Sequence, residues 1–283
     1  MVTSSRRSFE PDPALSRGTL SPDSFEPAAR VPGRRQGSGT PPTAWRWPVA
    51  IAVLVVGIWA VMTSTAFTRQ GINFQVSSKP IPLYVKAIAF LHRHYQYQVL
   101  ARDITRGCRS DRERLQAVYD WTRQNIRPTP AGWPVVDDHI LHIIIRGHGV
   151  HEQIADVFAT LATYAGVPAC WWPGPVTLTF AKVDGYWTML DVGNGLIFTD
   201  PEGRLREVHD LIAHPALIDA AAGELTVMGR PYSDYVRTRV RTFKAPAVLR
   251  AQQQMPLPRL VVEVRHAVQR VWEATTQPRP AQQ

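Results

Sequence analysis

Between residues 139 and 152 the chain concentrates imidazoles: His139, His142, His148 and His151, with Glu152 next to the last. Such side chains can hold a divalent metal through neutral ring nitrogens, or move a proton near neutral pH. The spacing argues against a metal. There is no HExxH, His148 falls in the glycine loop Gly147–Gly149, and His139 and His142 belong to another segment. Loop or cap histidines are the expectation, with no metal and no cofactor. The only cysteines, Cys108 and Cys170, are too few for a disulfide scaffold or an all-cysteine zinc site. An oxidising compartment would permit a bond between them, and two buried thiols are equally compatible with the sequence. Trp133, Trp171, Trp172, Tyr186 and Trp187 are aromatic enough to line a groove for sugar rings or an extended peptide. Trp171 and Trp172 would alternate faces on a strand, so at most one could enter a cleft, and core packing accounts for most of the five.

These residues need elements to position them. Residues 81–97 read as a helix with Ile81, Val85, Ile88 and Ala89 on its buried face. Ser110-Asp111-Arg112-Glu113 forms a capping box, in which the serine oxygen accepts from the amide three residues on. The helix it opens carries Leu115, Val118, Tyr119, Trp121 and Ile126 inward and is ended by Pro128 and Pro130. Residues 138–146 are a further apolar run. His151–Ala165 is strongly helical, with Ile154, Phe158, Leu161 and Ala162 on one face and Gly166 as its stop. The period then changes to two. Pro168–Trp172, Val176–Val183, Tyr186–Asp191 and Leu196–Thr199 read as strands, and Asp184-Gly185 suits a tight hairpin. Leu205–Ala213 returns to helix. Helices followed by antiparallel strands make an α+β fold.

The amino-terminal part has a different character. Residues 1–46 are rich in Ser, Pro, Gly and Arg without apolar periodicity, and are expected to be a disordered tail. From Trp47 to Phe67 the chain is apolar, with no polar side chain between Val49 and Met62. A cleaved signal peptide would need an unusually long leader, and a soluble core helix would show a polar face. An uncleaved anchor over 47–67 fits best, with Trp45 and Trp47 at the interface. Seven arginines against four acids precede it, so the positive-inside rule keeps residues 1–46 in the cytoplasm. The rest of the chain would then lie in a periplasm-like space.

The path RSDRERLQAVYDWTRQNI, then ILHIIIRGHGVHEQIADVFATLATYAGVPA, then VDGYWTMLD resembles the transglutaminase-like fold of papain-type thiol enzymes across roughly residues 85–215. The resemblance implies a cysteine at the start of the central helix, a histidine on a neighbouring strand and an aspartate that orients it. A helix start suits a thiolate because its free amides and dipole stabilise negative charge. Matched residue by residue, the cysteine position holds His151, the histidine position falls on Val176 or Thr177, and only the aspartate remains, as Asp191. An imidazole cannot form the thioester, valine has no proton to move, and threonine is no general base. Cys170 follows Val167-Pro168-Ala169 on what should be a strand, the wrong element for a nucleophile. The resemblance therefore implies a degenerate member, with His151, Val176, Thr177 and Asp191 as vestigial triad positions. His148, Glu152, Trp171, Trp172 and Trp187 are candidates for a binding cleft. Asp191 would hold its own strand end or reach across to His151.

The domain is expected over 80–245, with an amphipathic helix and a tail over 246–283. Val236–Phe243 alternates, placing Arg237, Arg239 and Arg241 on one face of a strand. Leu260–Trp272 sets Leu260, Val261, Val264, Val268, Val271 and Trp272 against Arg265 and Arg270. From residue 70 on, 24 basic residues face 19 acidic ones, too small an excess for a nucleic-acid binder. The expected function is a membrane-anchored, extracytoplasmic pseudoenzyme that binds a protein partner or an envelope polymer, in bacterial envelope or exopolysaccharide assembly. The alternative is a hydrolase or transferase with altered chemistry, using His151 and Asp191 with or without a metal. A third possibility, a thiol enzyme using Cys170, makes the reactivity of that sulfur decisive.

Overall fold

The computed structural model describes residues 46–73 and 75–276. Residues 1–45 of the tail expected over 1–46, and the last seven residues, lie outside these, while Arg46 opens the first helix. The chain divides into two units, Met1–Ala52 and Val53–Gln283. Of the first, the described residues are the opening turns of α1, Arg46–Thr63. This helix is 18 residues long and none of it is buried. At ~1.5 Å per residue it extends about 27 Å, close to the thickness of a bilayer core. The apolar helix stops short of the expected 47–67. Thr65–Phe67 open β1 (Thr65–Ile72), because threonine and phenylalanine favour an extended chain and the strand pairs along its whole length with β2 (Gln75–Pro82).

The next element, α2 (Leu83–Ile104), is longer than the expected helix and buries a different face. Ile81 belongs to β2, and Val85 and Ile88 are 40% and 63% exposed. The first turns of α2 run beside the β1–β2 hairpin, and only its later turns meet the domain core, through Tyr97 and Ala101. Ser110 caps α3 (Asp111–Asn125) as the sequence predicts, its oxygen accepting from the Glu113 amide at 3.2 Å. Glu113 in turn accepts from the amide of Arg109, one residue before the cap, at 2.6 Å. Leu115, Val118, Tyr119 and Ile126 are buried.

Short pieces follow: β3 (Arg127–Pro128), β4 (Val136–Asp137), α4 (Ile140–Arg146) and β5 (His148–Gly149). The central helix α5 (His151–Tyr164) comes next, then an antiparallel sheet of β6 (Ala169–Trp172), β7 (Leu178–Val183), β8 (Tyr186–Asp191) and β9 (Leu196–Ile197), paired in that order. Asp184 and Gly185 turn the β7–β8 hairpin, both with positive φ (51° and 94°), as a two-residue turn of this hand requires.

Alternation along the strands splits the core in two. Ala169, Ala181 and Leu190 face α5, with Val157, Phe158 and Leu161. Their neighbours Cys170, Phe180 and Met189 face the opposite side. That side is covered by α6 (Val208–Ala213), α7 (Ala216–Ala222) and, after the hairpin of β10 (Thr226–Val227) and β11 (Arg230–Pro231), by α8 (Tyr232–Val240). Removing a fully buried side chain such as Leu161 from this interior costs about 2–5 kcal/mol.

The expected strand over Val236–Phe243 is instead the end of α8, which closes at Val240, and the turn that follows it. Its alternation also places Val236 and Val240 four apart, and both are buried against the sheet. Helical geometry separates the arginines: Arg237 and Arg241 share a face, and Arg239 turns toward Trp172 and the Pro173 carbonyl. A short 3-10 turn (Ala251–Gln254) then leads to α9 (Pro256–Thr276), where Leu257, Leu260, Val261, Val264 and Val268 are exposed.

Candidate functional site

Helix α5 starts at His151, so the imidazole sits on its first turn. The residue before it, Val150, has no oxygen with which to cap. Gln153 supplies part of the missing cap, its Oε1 accepting from the Val150 amide at 3.2 Å. The same side chain is held by Arg146 at 2.9 Å and donates to the Val136 carbonyl at 2.7 Å. The start of the central helix is thus tied to α4 and β4 through Gln153.

His151 borders a groove of about 450 Å³. One wall is Gly149 to Glu152 at the helix start, another is Pro128 and Thr129, and the third is Gly174, Pro175 and Thr177 ahead of β7. The sequence left the strand position open between Val176 and Thr177, and the structure separates them. Val176 turns into the core on the α8 side, and Thr177 faces the groove. The groove pairs an imidazole with a hydroxyl, and no cysteine lines it.

Asp191 is fully buried at the end of β8. Its Oδ1 accepts from the Asn194 amide at 3.0 Å, and its Oδ2 accepts from the Asn194 side chain and the Tyr232 hydroxyl, both at 2.7 Å. Among the described residues no hydrogen bond joins it to His151. Burial and the adjacent carboxylate push the Tyr232 phenol far above its ordinary value, so it stays a donor. What touches His151 instead is the loop after Asp191. The ring packs on Gly193, where a Cβ would lie 2.9 Å from the imidazole Cγ. Arg123 of α3 fixes that loop by donating to the carbonyls of Gly193 at 2.9 Å and Val192 at 3.2 Å.

The other expected cleft residues separate. Glu152 lines the groove. His148 is half-buried with its ring edge toward Trp133, centroids 5.3 Å apart. Trp171 donates to Asp156 at 3.0 Å and Trp172 packs on Phe180 and Phe243, both walling a separate cavity of about 310 Å³. Trp187 also packs on Phe243. The structure does not bring these three tryptophans to the His151 groove. His142 is bound to Asp138 at 2.6 Å, and among the described residues no group of histidine, cysteine and acidic side chains is arranged to hold a metal.

Both thiols are free. Cys170 is buried on the far side of the sheet from α5, and burial pushes its pKa up to about 12. The thiolate that nucleophilic chemistry needs is scarce there at neutral pH. Gly193, Asn194, Arg123 and Tyr232 escaped the sequence reading. The Asp-Val-Gly-Asn-Gly turn was a local signal for the first two. Nothing in the sequence connects Tyr232 or Arg123 with Asp191.

Residues 98–194 match the family model of the transglutaminase-like superfamily. The match holds α3, α5 and the β7–β8 hairpin, hence His151, Thr177 and Asp191. No curated protein matches the chain. Among solved structures, a candidate cysteine protease from Cytophaga hutchinsonii is similar at 16% identity and a TM-score of 0.31, over 35% of this chain and 37% of that one. A candidate protease from Parabacteroides distasonis is similar at 12% identity and a TM-score of 0.28, over 52% of this chain and 41% of that one. The chain thus spans well under two thirds of either.

Proposed function

We propose that this chain, which carries a transglutaminase-like fold, is a membrane-anchored binding or scaffold protein whose groove has lost thiol chemistry. One observation carries the reading: the side chain at the mouth of the central helix is the imidazole of His151, opposite the hydroxyl of Thr177. Acyl transfer by this fold begins with a thiolate attacking a carbonyl and needs a base to take the proton. Imidazole and threonine supply neither the sulfur nor a strand-borne base. Asp191 has no ring to orient, and its oxygens are committed to Asn194 and Tyr232. That commitment also weighs against the alternative in which His151 and Asp191 act together. The groove, exposed at Glu152 and walled by prolines, is suited to holding an extended chain.

The helix Arg46–Thr63 is long and apolar enough to cross a membrane. With the arginine-rich segment before it on the cytoplasmic side, the domain lies outside the bacterial inner membrane, in the periplasm. The resemblance to family members of envelope and exopolysaccharide systems makes a protein partner or an envelope polymer the expected ligand. The test is an assay of the purified full chain for amidase, transpeptidase and ester-hydrolysis activity, with elemental analysis alongside. No turnover above the buffer rate is expected. Turnover abolished in His151→Ala would overturn the reading, and a stoichiometric metal lost in that variant would favour the altered chemistry.

A further inference from the structure

The face of α8 turned away from the sheet carries positive charge that no ion pair among the described residues neutralises. Tyr232, Ser233, Val236 and Val240 are its buried side. On the outer side Arg237 and Arg241, one turn apart, flank Thr238. With Arg230 from β11 they line a hollow of about 500 Å³. A second of similar size adjoins it, shares Arg230, Asp234 and Thr238, and is completed by Met228, Tyr235 and Thr242. Elsewhere in the domain Arg106, Arg114, Arg204, Arg250 and Arg259 each form an ion pair with a carboxylate. Among the described residues Arg230, Arg237 and Arg241 form none, although Asp234 shares their hollow. The Nε of Arg237 is shielded from solvent and has no acceptor among the described residues. That shielded donor is not open to a ligand, so the outer donors of the guanidinium forks are the ones an anion can meet.

We propose that this crease binds an acidic polysaccharide, a chain of carboxylate-bearing sugars. Each guanidinium is a planar fork that matches a carboxylate. Thr238 and Thr242 donate to the carbonyls of Asp234 and Arg239 and keep oxygens that can accept from sugar hydroxyls, and Tyr235 with the 81% exposed Met228 adds surface for ring faces. The concavity favours a single polymer chain over a plane of lipid headgroups. Asp234 tempers the charge and sets a register, since a carboxylate on the ligand must avoid it. The crease lies outside the His151 groove. The proposal rests on the extracytoplasmic reading for where such a polymer would be met, but binding in solution does not depend on that location.

The test titrates the full chain, in nonionic detergent, with alginate as the acidic polymer and dextran as the neutral one. Saturable alginate binding is expected, weakening as salt is raised, with none to dextran. Arg237→Gln with Arg241→Gln should weaken it roughly tenfold or more while the melting temperature holds, since glutamine is a good helix former. Arg230→Gln, across the crease on β11, should weaken it independently of α8. His151→Ala should leave it unchanged. Absence of alginate binding, equal binding of dextran, or full binding by the Arg237/Arg241 double variant would overturn the proposal. So would capture by phosphatidylglycerol vesicles that needs the same arginines while alginate is ignored. Failure of the crease with a periplasmic domain sinks this inference alone; a cytoplasmic domain that still binds alginate sinks the location alone.

Discussion

The imidazole of His151 rests on the backbone of Gly193, so closely that a Cβ on the glycine would stand 2.9 Å from the ring Cγ and 3.2 Å from Nδ1. The start of the central helix and the loop following Asp191 are therefore coupled by packing. Gly193→Ala should cost about 1–3 kcal/mol, read from denaturant unfolding, because a methyl group overpacks a buried contact. In a His151→Ala background the same change should cost little. A coupling near zero in the double-mutant cycle would show that the ring does not hold this position.

Tyr232 is the second anchor of Asp191. Tyr232→Phe removes one donor to a buried carboxylate and leaves the ring in place. A loss of about 1.5–3 kcal/mol is expected in thermal or chemical unfolding, the range for a hydrogen bond to a charged group. A change of a few tenths would mean that Asn194 satisfies Asp191 alone.

Cys170 and Cys108 should differ in reactivity. Burial pushes the Cys170 thiol up to about 12, and Cys108 is only half-buried. In the folded protein near pH 8, iodoacetamide should modify Cys108 and spare Cys170, with both modified after unfolding; peptide mass spectrometry reads the sites. Rapid modification of Cys170 in the native state would revive the thiol-enzyme possibility.

Asp156 on α5 links pH to stability. Burial raises its pKa from the ordinary 3.8, while Arg250, 3.1 Å away, and the Trp171 indole oppose the rise. A carboxyl raised on folding binds more protons in the native state, so stability falls as pH climbs from 3.8 through the folded value, and the loss persists above it. Arg250→Met raises the folded value further. The variant should lose about 1 kcal/mol near neutral pH, a modest figure because Arg250 is 63% exposed, and almost nothing near pH 3. A pH-independent difference would place the effect in packing on Trp171.

The proposed localisation depends on the apolar helix α1. The full chain should stay with bacterial membranes through an alkaline carbonate wash. Val55→Arg, at the centre of α1, adds about 2.5–3.5 kcal/mol to insertion and should release or mislocalise the chain. Wild-type chain in the soluble fraction would remove the anchor from the account.

Much of this protein was legible in one dimension because the signals were local. The Ser110 cap, the α5 helix, the Asp184-Gly185 turn and the β7–β8 hairpin all follow from neighbours within a few residues. So does the presence of His151 at the start of α5. Longer-range choices were not legible. VRTRVRTF fits a strand by alternation and a helix through Val236 and Val240, and burial against the sheet decided for the helix. The apolar residues at the start of α2 look like a core face, yet the core lies at its other end.

The sequence by itself determined which residue types the site contains: an imidazole at the helix start, no cysteine there, and an aspartate ending β8. That follows from register along α5 and β8, which neighbouring residues set. The tertiary structure alone decided what those residues touch. It turned Thr177 to the groove and Val176 inward, gave Asp191 to Tyr232 from 41 residues away, and sent the tryptophans elsewhere. Contacts between distant segments depend on how the layers stack, and no local pattern encodes that stacking.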